Sequence, residues 1–221
     1  MIMGDKMIES NKIFSKVFFW MFIGLAITFG IGYYVSINDV MLYNVFSKYY
    51  IFLIIAELVV VIWLSARIRT MKPMTAKILF CLYSLITGLT FSSIFVVYKI
   101  TSIVYVFGIT SLIFLIFALI GYFTKIDLTK LGIYLFMALL GVIICSVINL
   151  FVGSETFDFG ITIVCLLVFI AYIAFDIQVI KRNLYLIPEE DNLAIYGALQ
   201  LYLDFINIFL RLLRIFGNSR D

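Results

Sequence analysis

The 221-residue sequence contains no histidine. Without imidazole, the chain cannot form His-ligated metal sites, Ser-His or Cys-His nucleophile pairs, or histidine pH sensors. Its three cysteines, Cys81, Cys145 and Cys165, stand singly in apolar runs, so we expect neither a disulfide framework nor a cysteine metal site. Any proton chemistry in this protein must therefore use carboxylates.

Charge and proline are also scarce. Charged residues make up 13% of the chain and there are two prolines, whereas 65% of the residues are hydrophobic and the mean hydropathy is +1.18. Soluble domains are about half apolar and a quarter charged, so this composition indicates an integral membrane protein. The net charge of +3 is small and the basic residues lie between apolar runs, which speaks for membrane topology and against a nucleic-acid partner. We expect no cofactor and no enzymatic activity.

Long apolar runs recur along the whole chain. Each is close to the ~20 residues that a helix needs to cross a bilayer, and continuous rather than alternating apolarity excludes a strand barrel. We therefore predict an all-α polytopic membrane protein of seven transmembrane helices. Residues 16–217 form a single domain, between an N-terminal tail (1–15) and a short C-terminal tail (218–221). The predicted spans are 16–37, 47–66, 77–98, 102–123, 131–152, 160–180 and 193–215.

Lysine and arginine are concentrated in the N-terminal tail and in the second, fourth and sixth loops. The positive-inside rule then places the N-terminus and these loops in the cytoplasm. The C-terminus lies outside if the last helix crosses fully. Arg214 and Arg220 at that end would suit a re-entrant last segment better, so both arrangements stay open, with seven full spans preferred.

The last apolar run carries its polar residues on one side. At 100° per residue they share an arc of about 80°. A carboxylate in a span costs about 2.5–3.5 kcal/mol at the helix centre, so it normally faces protein or water. We therefore predict that the C-terminal helix is central and that the other six surround it. The stripe consists of Tyr196, Gln200, Asp204, Asn207, Arg211 and Arg214.

A second aspartate, Asp176, lies within span six. If it meets Asp204, the two carboxylates cannot both ionise cheaply, so one proton is held between them. Loss of that proton would create a repulsion of several kcal/mol at low effective dielectric, and the helices would separate or a cation would enter. Arg67, at the basic end of span two, is a candidate counter-charge for the deprotonated state.

The other intramembrane polar residues allow two interpretations each. Gln200 and Asn207 can line a pore or serve only as interhelical hydrogen-bonding groups, as can Tyr196. Arg214, with Arg211, can face a pore or extend its charge to the membrane surface from the helix end. Glu57 can bind a passing cation or be satisfied by a local arginine or tyrosine. The aspartates themselves can have a purely structural role.

Several motifs resemble the Bax inhibitor family, also called the transmembrane Bax inhibitor motif family. The most specific is residues 202–217 (YLDFINIFLRLLRIFG), which is similar to the C-terminal signature of that family. Supporting matches occur in family order, and the short tails and spacing resemble the bacterial branch. One departure is Phe175 before Asp176, where the family often has tyrosine. The supporting matches are residues 65–68, 85–95, 121–132 and 174–176.

The resemblance implies a fold in which the last helix is ringed by two layers of three helices, in a bacterial inner membrane. It also implies a pH-sensitive calcium leak, with Asp176 and Asp204 as a di-aspartyl sensor that contacts Ca²⁺ only transiently. Arg67 would be the arginine that latches onto this sensor, although a small alignment shift would give that role to Arg69. Calcium is the transported ion, and the oligomeric state is left open.

Two other functions compete with the leak channel. A non-transporting regulator that binds a membrane protease or a death-regulating protein is also compatible with the family. An intramembrane aspartyl protease also pairs aspartates on two adjacent spans. However, Asp204 lacks the Gly-x-Gly-Asp context, and the only prolines, Pro73 and Pro188, leave no Pro-Ala-Leu element.

Overall fold

The computed structural model describes residues 2–183 and 190–220, with the side chains of 11–183 and 190–220. Pro188 lies outside these residues. The described chain is helical almost throughout. A π-helical turn (Val45–Tyr49) separates α2 from α3, and a 3₁₀ turn (Leu128–Leu131) precedes α6. The helices are α1 (Ile2–Ser36), α2 (Asp39–Asn44), α3 (Tyr50–Arg67), α4 (Pro73–Val97), α5 (Ile100–Phe123), α6 (Gly132–Val152), α7 (Glu155–Asn183) and α8 (Glu190–Phe216).

Seven helical segments of the described chain are long and apolar enough to cross a membrane, which confirms the predicted all-α, seven-span fold. The α2 helix, the π turn and α3 together form the second span. The first helix begins at Ile2 and not at the predicted span boundary, because the polar N-terminal residues continue the helix. The spans are Asn11–Ser36, Asp39–Arg67, Pro73–Val97, Ile100–Phe123, Leu128–Val152, Glu155–Asn183 and Glu190–Phe216.

The chain divides into two compact units, and α8 contributes to both. The first comprises Met1–Ile100, Arg182–Tyr202 and Asn218–Asp221. In it α1 packs closely on α4: a Cβ added at Gly88 would lie 2.9 Å from the Ile31 Cβ, so only glycine permits this approach.

Ion pairs join the start of α8 to the middle of α1 and to the start of α4 in the first unit. Asp191 lies 3.0 Å from the Lys16 Nζ and 2.5 Å from the Lys77 Nζ. Asn192 Nδ2 donates to the Met71 carbonyl in the loop before α4 (2.9 Å). The start of α8 therefore lies at the same end of the unit as the start of α4.

The residues that follow α8 pair with the opposite end of α4. Arg220 N donates to the Val97 carbonyl (2.8 Å), and Lys99 N donates to the Asn218 carbonyl (3.0 Å). The α8 helix is unbroken, and its start and the residues that follow it lie at opposite ends of α4. This geometry favours a full crossing over the re-entrant segment that Arg214 and Arg220 suggested.

The second unit comprises Thr101–Lys181 and Leu203–Gly217. In it α5 and α7 approach so closely that a Cβ added at Gly121 would lie 2.5 Å from the Ala174 carbonyl oxygen. Gln178 on α7 fixes the loop after α5: its side chain accepts from Leu128 N and donates to the Ile126 carbonyl, both at 2.8 Å.

Burial differs sharply among the spans. Within α8, 72% of the most apolar stretch is buried, more than in any other described span, whereas the corresponding share is 6% in the α2–α3 span and in the span that contains α6. Helices with so little contact leave nearly their whole apolar surface uncovered by the described part of this chain. The ring of six helices around α8 stays a prediction.

Candidate functional site

The candidate site is a pair of buried carboxyl groups in the second unit. Asp176 on α7 and Asp204 on α8 are each 3% exposed, and their side chains are within hydrogen-bonding contact of each other. The structure thus brings together the two aspartates that the sequence argument paired. A hydrogen bond between two carboxyl groups requires a proton on one of them.

The surroundings of the pair offer it little polar compensation. The second oxygen of Asp204, Oδ2, is buried and has no hydrogen-bond partner among the described residues. Phe205 beside it is buried, and Ile173 and Ile177 flank Asp176 on α7 with no more than 1% exposure. An apolar shell of this kind makes two adjacent negative charges costly.

The register of α7 and α8 explains the pairing. Consecutive helices joined by a short connection run antiparallel, so residues early in α7 lie near residues late in α8. Two contacts in the second unit follow this rule: Asp176 meets Asp204, and Asp158, near the start of α7, forms an ion pair with Arg214, near the end of α8.

Arg214 is therefore a partner of Asp158, a residue that the sequence analysis did not single out. Its side chain is 47% exposed, and that of Asp158 is 26% exposed. An antiparallel alignment of α7 and α8, made on the sequence, predicts Asp158 as the acidic residue opposite Arg214. One turn earlier, Arg211 contacts the buried thiol of Cys165.

The polar stripe of α8 is not its most buried face. Tyr196, Gln200, Asn207 and Arg211 are partly exposed, whereas Asp204 alone among the stripe is buried. The apolar residues on the opposite side, such as Ala198 and Phe209, are fully buried. This differs from the expectation of an inward-facing polar stripe, because the apolar face gains more from protein contact.

Gln200 and Asn207 differ in their surroundings. Asn207 Nδ2 donates to the Leu203 carbonyl one turn earlier (2.8 Å), so its amide is bonded within α8. Gln200 lies partly exposed on the first-unit portion of α8. Neither bonds to another helix among the contacts described, which leaves their suggested role as interhelical hydrogen-bonding groups without support in those contacts.

Glu57 and Arg67 lie on α3 in the first unit. Glu57 accepts hydrogen bonds from Thr87 Oγ1 (2.7 Å) and Thr90 Oγ1 (3.4 Å) of α4, which were not predicted as its partners. Arg67 ends α3 with an exposed side chain, and Arg69 in the following turn is exposed too. The structure leaves the choice between these arginines open.

No group of three or more acidic, cysteine or histidine residues within the described part of the chain could hold a metal ion.

Comparison with known proteins places this site in a family. A family described as "Inhibitor of apoptosis-promoting Bax1" matches residues 10–221. The chain is 42% identical over 213 residues to the inner membrane protein YbhL of Escherichia coli K12, which covers 93% of this chain and 91% of that protein. It is 39% identical over 223 residues to an uncharacterized protein of Borreliella burgdorferi, with 98% and 96% coverage.

A third relative, an uncharacterized protein of Deinococcus radiodurans, is 36% identical over 211 residues, which cover 94% of this chain and 90% of that protein. The match extends over all seven spans and includes both aspartates. The chain is therefore an integral membrane protein that belongs to the Bax inhibitor family and has a relative in a bacterial inner membrane.

Proposed function

We propose that this protein is a pH-sensitive calcium leak channel whose gate is the Asp176–Asp204 pair. The observation that carries the proposal is the contact of two buried carboxyl groups on different helices of one unit. Intramembrane carboxylates are costly, and they commonly mark ion pathways and proton relays. Because the two carboxyl groups share a proton, the charge of the pair depends on pH.

The chemistry of the gate follows from charge. While one proton is shared, a hydrogen bond joins α7 to α8 at Asp176 and Asp204. When the proton leaves, two like charges face each other, which at 4 Å and an effective dielectric of 20 repel by about 4 kcal/mol. That energy is large enough to separate two helices locally or to admit a cation between them.

Calcium is the cation that suits the opened pair, because it prefers carboxylate and carbonyl oxygens. In this proposal Asp176 and Asp204 contact Ca²⁺ transiently, and Gln200 and Glu57 supply further oxygens along the way. Arg67 is the latch that neutralises the deprotonated pair, as the family resemblance implies, with Arg69 as the alternative.

The test is Ca²⁺ flux into dye-loaded proteoliposomes across pH 5 to 9. We expect wild-type flux to vary with pH and the variants Asp176→Asn and Asp204→Asn to lose that dependence, because an amide cannot exchange the proton. Glu155→Gln, an exposed carboxylate on the same α7, is the matched control and should behave as wild type. Absence of flux at any pH, or unchanged pH dependence in both Asn variants, would overturn the proposal.

The second candidate is a non-transporting regulator that binds a membrane protease or a death-regulating partner. The description of the matched family as an inhibitor of an apoptosis-promoting protein favours it. It predicts partners that co-purify with the protein from cross-linked membranes while the reconstituted protein carries no Ca²⁺.

A further inference from the structure

A groove lies between α1 and α4 in the first unit. Its volume is about 580 Å³, and its walls are apolar side chains such as Ile27 and Ile31 of α1 and Ile78 and Leu85 of α4. Gly30 also lines it, and nothing lies within 4 Å of a Cβ added at Gly30. The described part of the chain therefore leaves room for a further apolar group between two membrane spans.

The two helices that form the groove run in the same direction. Trp20 of α1 meets Phe80 of α4 with ring centroids 6.5 Å apart. Further along both helices, Thr28 Oγ1 donates to the Ser84 carbonyl (2.9 Å). The groove therefore extends into the membrane from the end at which α1 and α4 meet the start of α8.

Basic and apolar residues share one face of α1. At 100° per residue, with Lys16 at zero, Lys12 and Gly30 lie at about 320°, Ile27 at about 20° and Trp20 at about 40°. Lys16 precedes Ile27 by about 16 Å along the helix axis, which is close to the ~15 Å thickness of one hydrocarbon leaflet. The lysines therefore lie at the surface end of the face that forms the groove.

The surface end is a cluster of charged groups. Lys12 Nζ lies 3.3 Å from Glu190, Lys16 Nζ lies 3.0 Å from Asp191, and Lys77 Nζ also pairs with Asp191. Three ammonium groups thus share two carboxylates, which leaves one positive charge within the cluster. An ammonium group has three donors, and the Lys12 side chain is 64% exposed, so the cluster can still bind an anion.

Trp20 indicates the height of this cluster in the membrane. Its ring lies 5.8 Å from Lys77 Nζ. Tryptophan is enriched at the level of the lipid headgroups, where one end of the ring is apolar and the other is hydrated. A basic cluster beside Trp20 and an apolar groove below it match the headgroup and the acyl chain of a phospholipid.

Charge complementarity selects the kind of phospholipid. Inside a bilayer, an acyl chain gains no hydrophobic free energy when it enters an apolar groove, because the lipid chains that it leaves are equally apolar. Discrimination must therefore come from the headgroup. An anionic phosphodiester complements the surplus positive charge, whereas a zwitterionic headgroup brings a cation of its own. Basic pockets between membrane helices bind anionic headgroups in this way.

We propose that the groove between α1 and α4 binds an anionic phospholipid, with an acyl chain along Ile27 and Gly30 and the phosphate at Lys12, Lys16 and Lys77. The site lies in the leaflet that the basic loops predict to be cytoplasmic. The bound phosphate adds a ligand to the cluster that joins α1, α4 and α8. The site is independent of the leak proposal, since it requires neither Ca²⁺ flux nor the aspartate pair.

Tryptophan quenching by brominated lipids tests the proposal, because Trp20 and Trp63 are the two tryptophans of the chain. The full-length Trp63→Phe variant reports on Trp20 alone. It is reconstituted in mixtures of phosphatidylglycerol and phosphatidylcholine with matched chains, of which one lipid at a time carries bromine near the glycerol. We expect phosphatidylglycerol to be enriched about fivefold at Trp20 over its share of the bilayer, the factor that corresponds to ~1 kcal/mol for one surplus basic charge.

Two variants separate the headgroup site from the groove. Lys12→Gln combined with Lys16→Gln should abolish the enrichment at Trp20, whereas any enrichment at Trp63, measured in Trp20→Phe, should not change. Gly30→Leu fills the groove and should lower the quenching of Trp20 by both lipids. Gly108→Leu on α5 is its matched control, because a Cβ there is equally unobstructed but lies outside the groove, and it should leave the quenching unchanged.

Equal quenching of Trp20 by the two lipids would overturn the proposal, as would an enrichment that survives the loss of both lysines. If the lysine variant does not fold, unchanged quenching in Gly30→Leu has the same meaning. Quenching that is weak with both lipids, and weaker still at higher protein-to-lipid ratios, would show that a second copy of the chain covers the groove instead.

Discussion

At the residue scale, Asp158 and Arg214 illustrate how exposure limits the contribution of an ion pair to the free energy of unfolding. Their contact is direct, but both side chains keep substantial exposure, 26% and 47%. Exposed ion pairs contribute about 0–1 kcal/mol, whereas buried groups deprived of a partner cost more. The aspartate pair, at 3% exposure, belongs to the second class.

We therefore expect the coupling free energy between Asp158 and Arg214 to be below about 1 kcal/mol. A double-mutant cycle with Asp158→Asn and Arg214→Gln, measured by unfolding in mixed detergent, determines it. A coupling well above this value would show that lipid shields the pair more than its exposure indicates.

The sequence predicted some of these residue contacts and missed others for a physical reason. Asp176 and Asp204 could be paired because carboxylates in spans must face inward and consecutive helices run antiparallel. The hydrogen bonds from Thr87 and Thr90 to Glu57 could not be found in this way. Threonine is tolerated on any face of an apolar helix, so its presence says little about which way a helix is rotated.

At the element scale, the approach of α5 to α7 depends on the missing side chain of Gly121. A Cβ at this position would lie 2.5 Å from the Ala174 carbonyl oxygen and 2.7 Å from the Ala174 Cα. Both atoms are backbone, so no side-chain rotation can relieve the overlap. Ala174 is two residues from Asp176, so this contact also positions the candidate gate.

We expect Gly121→Ala to lower the free energy of unfolding by about 1–3 kcal/mol, the usual cost of overpacking. Thermal unfolding in detergent measures the change. Gly108→Ala on the same helix is the matched control: nothing lies within 4 Å of a Cβ there, so the higher helix propensity of alanine should leave stability equal or up to about 1 kcal/mol higher. Equal effects of the two substitutions would contradict the close approach.

The helical elements themselves followed from the sequence, since each apolar run is long enough to cross a bilayer and too continuous for a strand. The details at the ends of the helices did not follow from the sequence. The extension of α1 to Ile2 and the π turn at Val45–Tyr49 involve residues whose hydropathy does not distinguish helix from loop.

At the scale of the whole molecule, the start of α8 and the residues that follow α8 lie at opposite ends of α4. The start of α8 pairs with residues near the start of α4, and the residues after α8 pair with Val97 and Lys99. The α8 helix therefore runs from one end of α4 to the other, as the predicted seven spans require. The basic loops then predict which end is cytoplasmic.

Cysteine labelling tests this topology. In a variant without the three native cysteines, we expect Thr70→Cys to react with a membrane-impermeant maleimide only from the cytoplasmic side and Ser219→Cys only from the opposite side. Thr70 and Ser219 are both exposed, so access is not limited by packing. Labelling of both positions from one side would contradict seven full crossings.

The π turn at Val45–Tyr49 rotates α3 about the helix axis relative to α2, within one membrane span. It places one extra residue in a helical turn, so α2, which lies against α1, and α3, whose Glu57 meets Thr87, are each aligned with a different neighbour. Removing a single residue there would restore regular α-helix and turn one half by about 100° against the other. The membrane would still be spanned, yet α2 and Glu57 could no longer both face their neighbours. A deletion that leaves the hydropathy of the span unchanged would thus break the hydrogen bond between Thr87 and Glu57.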